Sequence, residues 1–185
     1  AGECSCQYHG ANRLGGNSVL GAVYGGLVAA ETSCGEPETP DGREREEACR
    51  AALSAASRAC GEWKTRGVEA PCTSLEIKEE MAGIMKECMG IYRDGTALAD
   101  GLGRMKALYS RCGRISPAES YVDYITTRAT VLAAEAMIAS ALARRESRGA
   151  HQRLDFPETN DAEFKKSVVT KIADNHEMEV QLRGI

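Results

Sequence analysis

The stretch HGANRLGGNSVLG, residues 9–21, puts a histidine, an arginine and a glycine pair ahead of a helix start. Gly15-Gly16-Asn17-Ser18 runs from a turn into that helix, and the N–H groups of a first helical turn have no acceptor within the helix. Together with the helix dipole they present a positive end to whatever lies in front, which suits an anion or a carbonyl oxygen. Asn17 or Ser18 would serve equally well as a plain N-cap, and spacing alone does not choose between the two readings. Arg13 stands just before the turn, and its planar fork suits a two-point grip on a carboxylate. A loop arginine is also commonly just solvated or paired with a surface acid.

The remaining chemistry-bearing residues narrow the classes. None of the eight cysteines forms a C-x-x-C pair, so neither a zinc ribbon nor an iron–sulfur run is present. Cys4 and Cys6 make only a C-x-C, and no metal site is expected. With no signal-peptide pattern at Ala1 and a helical core in prospect, the cysteines are expected to be thiols. A formal charge of -4 provides no basic field for nucleic acid, which is not expected as a partner. The longest uncharged apolar run, residues 18–30, is shorter than the roughly 20 residues of a spanning helix. No direct membrane span is expected.

The elements that must position these groups are mostly helical, in keeping with 43% apolar and only 5% aromatic residues. A glycine- and alanine-rich helix occupies residues 15–30, with one small-residue face that asks for a close neighbour. CGEPETPDGRERE then reads as a solvated linker because of its prolines, glycines and charges. Cys49, Leu53, Ala56, Cys60 and Trp63 recur at helical spacing, which predicts an amphipathic helix over residues 44–63. Thr73-x-x-Glu76 is a capping-box signature for a helix ending near Tyr92. A third helix carries Leu98, Leu102, Met105, Leu108 and Cys112 and stops at Gly113. Ser116-Pro117-Ala118-Glu119 signals the start of a long helix to about Glu146. Methionines and cysteines on these stripes read as core filler. Short connections favour an antiparallel bundle of three long helices plus one extra helix. Val168, Thr170 and Ile172, then Met178, Val180 and Leu182, alternate about ADNH and predict a C-terminal β-hairpin.

Two separated blocks resemble one family. GECSCQYHGANRLGGNSVLGAVYGGLVA is similar to the end of the flavin-binding domain of succinate dehydrogenase and fumarate reductase flavoprotein subunits. CMGIYRDGTALADGLGRMKALYSR and LARRESRGAHQRLDFPETND resemble its C-terminal helical domain. The resemblance implies residues 1–33 as the last part of an α/β FAD-binding domain and 74–164 as the helical bundle domain. Residues 34–73 depart from the expected pattern as a linker with one inserted helix, and 165–185 form the hairpin or an extended tail. It further implies that Glu3 binds the FAD ribose and that Arg13 holds a carboxylate of succinate or fumarate. Asn17, Ser18 and Val19 would lie at the flavin, with the Ser18 and Val19 backbone approaching the isoalloxazine carbonyl. His9 would position, and Arg148 and His151 would dock the helical domain on the flavin domain; no catalytic residue is assigned.

The family's dinucleotide-binding G-x-G-x-x-G and its capping domain with the proton-donating arginine are not in this sequence. The chain is therefore expected to be a C-terminal piece that alone neither holds FAD nor oxidises succinate. In the whole enzyme, hydride would pass between a dicarboxylate and flavin, with an iron–sulfur subunit as partner and a cytoplasmic location at the inner face of the membrane. L-aspartate oxidase of the same superfamily is the nearest alternative, though the Gly15-Gly16 pair favours succinate or fumarate. A non-enzymatic helical docking module over residues 44–146 is the alternative from another class.

Overall fold

The computed structural model describes residues 17–35, 42–173 and 177–184. Its centre is a bundle of three helices: α3 (Ser74–Cys88), α4 (Gly95–Arg111) and α5 (Tyr121–Ala143), preceded by α1 (Asn17–Gly35) and α2 (Gly42–Thr65). Ile77 and Ile84 of α3, Leu98, Met105 and Leu108 of α4, and Val131 and Ile138 of α5 are withdrawn from solvent. Each such side chain contributes about 1.5–3 kcal/mol on burial, so this seam is what holds the bundle together. Met105, Cys88 and Cys112 lie within it as filler. The cysteines among the described residues are all free thiols.

Local signals explain most of the boundaries. Thr73 and Glu76 form the predicted capping box, with the Thr73 N–H donating to Glu76 Oε2 (2.7 Å) and the Glu76 N–H to Thr73 Oγ1 (3.1 Å). Asp94 caps α4 by accepting from Thr96 and Ala97 N–H. Three boundaries in the bundle differ from the sequence reading. Ser120, not Ser116, caps α5 by accepting from Val122 N–H. Ser116-Pro117-Ala118-Glu119 is instead a turn closed by Glu119 N–H to Ser116 O, and the Glu119 carboxylate reaches across to Ser74 N–H at the start of α3. A proline at the second position of a turn satisfies the same local rule as a proline at a helix start, so the pattern was real and its use was different. α3 stops at Cys88, because Tyr92–Arg93 become a short strand, β1. α5 stops at Ala143, where Arg144 turns to an extended conformation (φ −82°, ψ 100°) and points its side chain inward.

The first two helices are less enclosed. On α1 Gly25 is buried, while Val19, Leu20, Val23, Tyr24 and Leu27 face solvent. The apolar stripe of α2 is exposed as far as Ala56; within this helix Trp63 is buried. Trp63 stacks on Tyr124 of α5 (ring centroids 5.2 Å) and tilts against Tyr121 (5.5 Å), which fixes the C-terminal end of α2 to the bundle.

Beyond α5, β2 (Gln152–Arg153) pairs in parallel with β1, Tyr92 opposite Gln152 and Arg93 opposite Arg153. A single turn, α6 (Asp161–Phe164), leads into β3 (Lys166–Ile172), which pairs antiparallel with β4 (Met178–Gly184) from Lys166↔Gly184 to Ile172↔Met178. This is the predicted hairpin. Two strands alone are marginal in water, and these lie against α5. α5 is long and apolar enough to cross a membrane by length and composition, yet Tyr124, Thr127, Val131, Ala134, Ile138 and Ala141 bury one side of it in the bundle. It serves here as the core helix.

Candidate functional site

The front motif is described from Asn17 onward. α1 begins at Asn17, directly after the glycine pair, and its first turn contains no acidic residue. Its leading N–H groups thus have no carboxylate of their own in the first turn, and Val19 is 70% exposed beside them. A carbonyl oxygen, or the negative charge that develops on a reduced flavin, fits such an end. Glu3, His9 and Arg13, like the side chains of Asn17 and Ser18, lie outside the described residues.

The second motif, ESRGAHQRLD, forms a buried charge cluster that the sequence reading did not foresee. Glu146 is fully buried and collects four donors. Arg144 Nη1 lies 2.6 Å from its Oε1, Arg148 grips both oxygens (2.8 and 2.9 Å), and the Asn160 N–H adds a fourth bond at 2.9 Å. Burial alone would raise this carboxyl, but Arg148, the Asn160 N–H and Arg144 outweigh it and hold it below the usual range. Arg144 also donates to Phe164 O and Lys166 O, and Arg148 to Asp161, so one carboxylate ties the end of α5 to α6 and the start of the hairpin. Gly149, at φ 60°, makes the tight reversal in which Arg148 and His151 exchange backbone hydrogen bonds.

Arg153 does the same for the other side. Its Nη1 caps α5 through Ala141 O (2.8 Å), Leu142 O and Arg144 O. Its Nε and Nη2 hold Asp155 at 2.7 Å each, and Asp155 in turn accepts from Gly95 N–H at the start of α4. A Cβ on Gly95 would stand 2.6 Å from Asp155 Oδ2, so this approach requires glycine.

His151, 2% exposed, sits between these arms. Its Nδ1 lies 2.7 Å from Arg93 Nη1 and its Nε2 3.3 Å from Arg144 O. A guanidinium can only donate, so Nδ1 is the acceptor and Nε2 carries the proton. Burial, reinforced by the charges of Arg93, Arg153 and Arg144, pushes its pKa down to about 4. The lone pair is occupied and the ring is neutral, so His151 cannot act as a general base. The docking role expected for His151 is corrected accordingly, because the ring is enclosed within the helical domain; Arg148, 27% exposed, places its guanidinium on Glu146 and Asp161. Arg93, Arg144, Glu146, Arg153 and Asp155 were missed. The density of charges directly after an apolar helix was the available signal.

Residues 78–185 match the family described as fumarate reductase flavoprotein, C-terminal. The chain belongs to that family. Fumarate reductase flavoprotein subunit of Haemophilus influenzae is 32% identical over 182 residues, covering 94% of this chain and 30% of the relative. Succinate dehydrogenase flavoprotein subunit of Coxiella burnetii is 34% identical, covering 91% and 30%. A quinol fumarate reductase structure from E. coli superposes with a TM-score of 0.75 at 25% identity, over 94% of this chain and 31% of that one. Adenylylsulfate reductase of Archaeoglobus fulgidus shares the fold, with a TM-score of 0.61 at 21% identity. The chain thus spans about 30% of the length of the curated flavoprotein subunits it matches. Alignments covering 94% of the chain run through most of residues 34–73, the stretch that the sequence reading set apart as departing from the family pattern.

Proposed function

We propose that residues 9–21 form one wall of a flavin and dicarboxylate site in an FAD-dependent oxidoreductase that interconverts succinate and fumarate. The observation that carries this is the start of α1 at Asn17, immediately behind Gly15-Gly16, with no acid in its first turn and Val19 in solvent. Flavin, when bound, supplies the hydride acceptor or donor. The backbone of Asn17, Ser18 and Val19 would hold the flavin at the helix start, whose free N–H groups favour negative charge. Glu3 accepts from the ribose hydroxyls of FAD. Arg13 holds a substrate carboxylate by a two-point grip and so fixes the C2–C3 bond against the cofactor. His151 takes no part in proton transfer, because its lone pair is engaged by Arg93.

The helical bundle gives a partner subunit, of iron–sulfur type, a surface to meet. The protein then works on the cytoplasmic side of the membrane through that partner. Residues 1–185 alone bind no FAD and turn over no succinate. Two measurements test the reading. The purified chain is expected to be colourless, and a flavin band near one equivalent would contradict its inactivity. In a flavoprotein of the relatives' full length, Arg13→Lys is expected to lower kcat/KM for succinate by about 10²-fold with flavin retained. Unchanged turnover would remove Arg13 from the site.

A further inference from the structure

α2 is joined to the rest of the fold through a short stretch at its end. Residues 42–58 are exposed throughout, and within the helix Ala59, Cys60 and Trp63 are the ones withdrawn from solvent. Trp63 is the anchor, lying on Tyr124 at a ring separation of 5.2 Å and against Tyr121 at 5.5 Å. Arg66, half-buried just beyond the helix, covers the same spot, with its guanidinium 5.7 Å from the Trp63 ring and 4.7 Å from the Tyr124 ring. It donates to Ile115 O (2.8 Å) and to the phenol oxygen of Tyr124 (3.4 Å). From there the chain leaves for α3 through residues 67–71, which are exposed except for Val68.

Other features of the same contact oppose it. The Trp63 Nε1–H and the Arg66 Nε–H are both buried with no acceptor among the described residues. A buried indole N–H ordinarily has an acceptor, and both groups would find one in water, so docking forgoes two hydrogen bonds. Arg128 of α5 also donates to the Tyr124 phenol oxygen (3.0 Å), its other phenol acceptor being Tyr109 (2.8 Å). Two guanidiniums thus converge on one neutral atom, where like charges repel. Stacking and burial of one indole must offset these costs, while many apolar side chains close the seam of α3, α4 and α5. We propose that the end of α2 is a latch: Trp63 and Arg66 dock and lift together while the three-helix bundle stays folded. Lifting uncovers the rings of Tyr121 and Tyr124 and the guanidinium of Arg128 on α5.

Amide exchange and tryptophan fluorescence of the 185-residue chain test the latch, since Trp63 is its single tryptophan. Amides of residues 60–66 are expected to exchange at least about 100-fold faster than those in the middle of α5, because they open without the bundle. In urea, the Trp63 emission is expected to change at a lower midpoint than the loss of the folded α5 amide signals. Trp63→Ala is expected to bring residues 60–66 close to the unprotected rate and to speed exchange in α5 by no more than about tenfold. A larger rise in α5, equal protection of the two segments in the parent chain, or coincident urea transitions would each overturn the latch. In any of those cases α2 would unfold only together with the bundle.

Discussion

α1 leaves Val19, Leu20, Val23, Tyr24 and Leu27 in solvent, whereas the end of α5 and the loop behind it take Arg93, Arg144, Glu146, His151 and Arg153 into the interior. In one region apolar side chains lack cover, and in the other each buried charged side chain has a hydrogen-bond partner. An exposed apolar helix face marks a surface that something else completes. A buried charge cluster survives only where each member has a partner, and here Glu146 supplies two arginines at once. The end of α5 is closed by its own charged clamp, while α1 leaves an apolar face in solvent, as the proposed site at the front of the chain would require.

The largest expected effect falls on the clamp. Glu146→Ala leaves Arg144 buried without its acid and is expected to cost about 3–5 kcal/mol in urea unfolding. A loss below about 1 kcal/mol would mean that water already relieves the cluster. Next is a pH effect. His151 titrates near 6.5 when unfolded and at about 4 when folded, so between these values the unfolded chain binds more protons. Its stability contribution is complete above about pH 6.5 and declines as the pH falls toward 4, by about 3 kcal/mol in all. His151→Gln can still accept from Arg93 and donate to Arg144 O, so it is expected to flatten that part of the pH profile.

Smaller effects follow from packing. A Cβ on Gly101 of α4 would lie 2.6 Å from the Sγ of Cys88 on α3. Gly101→Ala is expected to destabilise by about 1–3 kcal/mol, and Cys88→Ala to restore most of it. Thermal melts of the two single variants and the pair decide this, and additivity of the two losses would contradict the contact. Smallest of all, Leu20→Gln or Val23→Thr on α1 is expected to change stability by no more than about 0.5 kcal/mol, because neither side chain is covered. A loss above 1 kcal/mol would show that α1 is packed after all.

The same contrast explains what could be read from the sequence. The bundle was legible because Leu98, Met105 and Leu108 recur at helical spacing, and because Thr73-x-x-Glu76 has one local meaning. The hairpin was legible from its alternation alone. Ser116-Pro117 misled because turns and helix starts share the same residues, and only the approach of Glu119 to Ser74 separates them. The clamp was invisible because nothing in SRGAH states whether its charges meet water or one another. That depends on the β1–β2 pairing between residues sixty positions apart in the chain. The front motif was the reverse case: a helix was foreseen over residues 15–30 and is described over Asn17–Gly35, while Glu3 and Arg13 lie outside the described residues.

Amide hydrogen exchange on the 185-residue chain tests the central contrast most directly. The slowest exchange is expected in the middle of α5 and in the backbone donors tied to the clamp, and exchange within a few orders of the unprotected rate in the first turns of α1 and α2. Protection of α1 equal to that of α5 would contradict it, because the front of the chain would then be a finished structure and not one wall of a larger site.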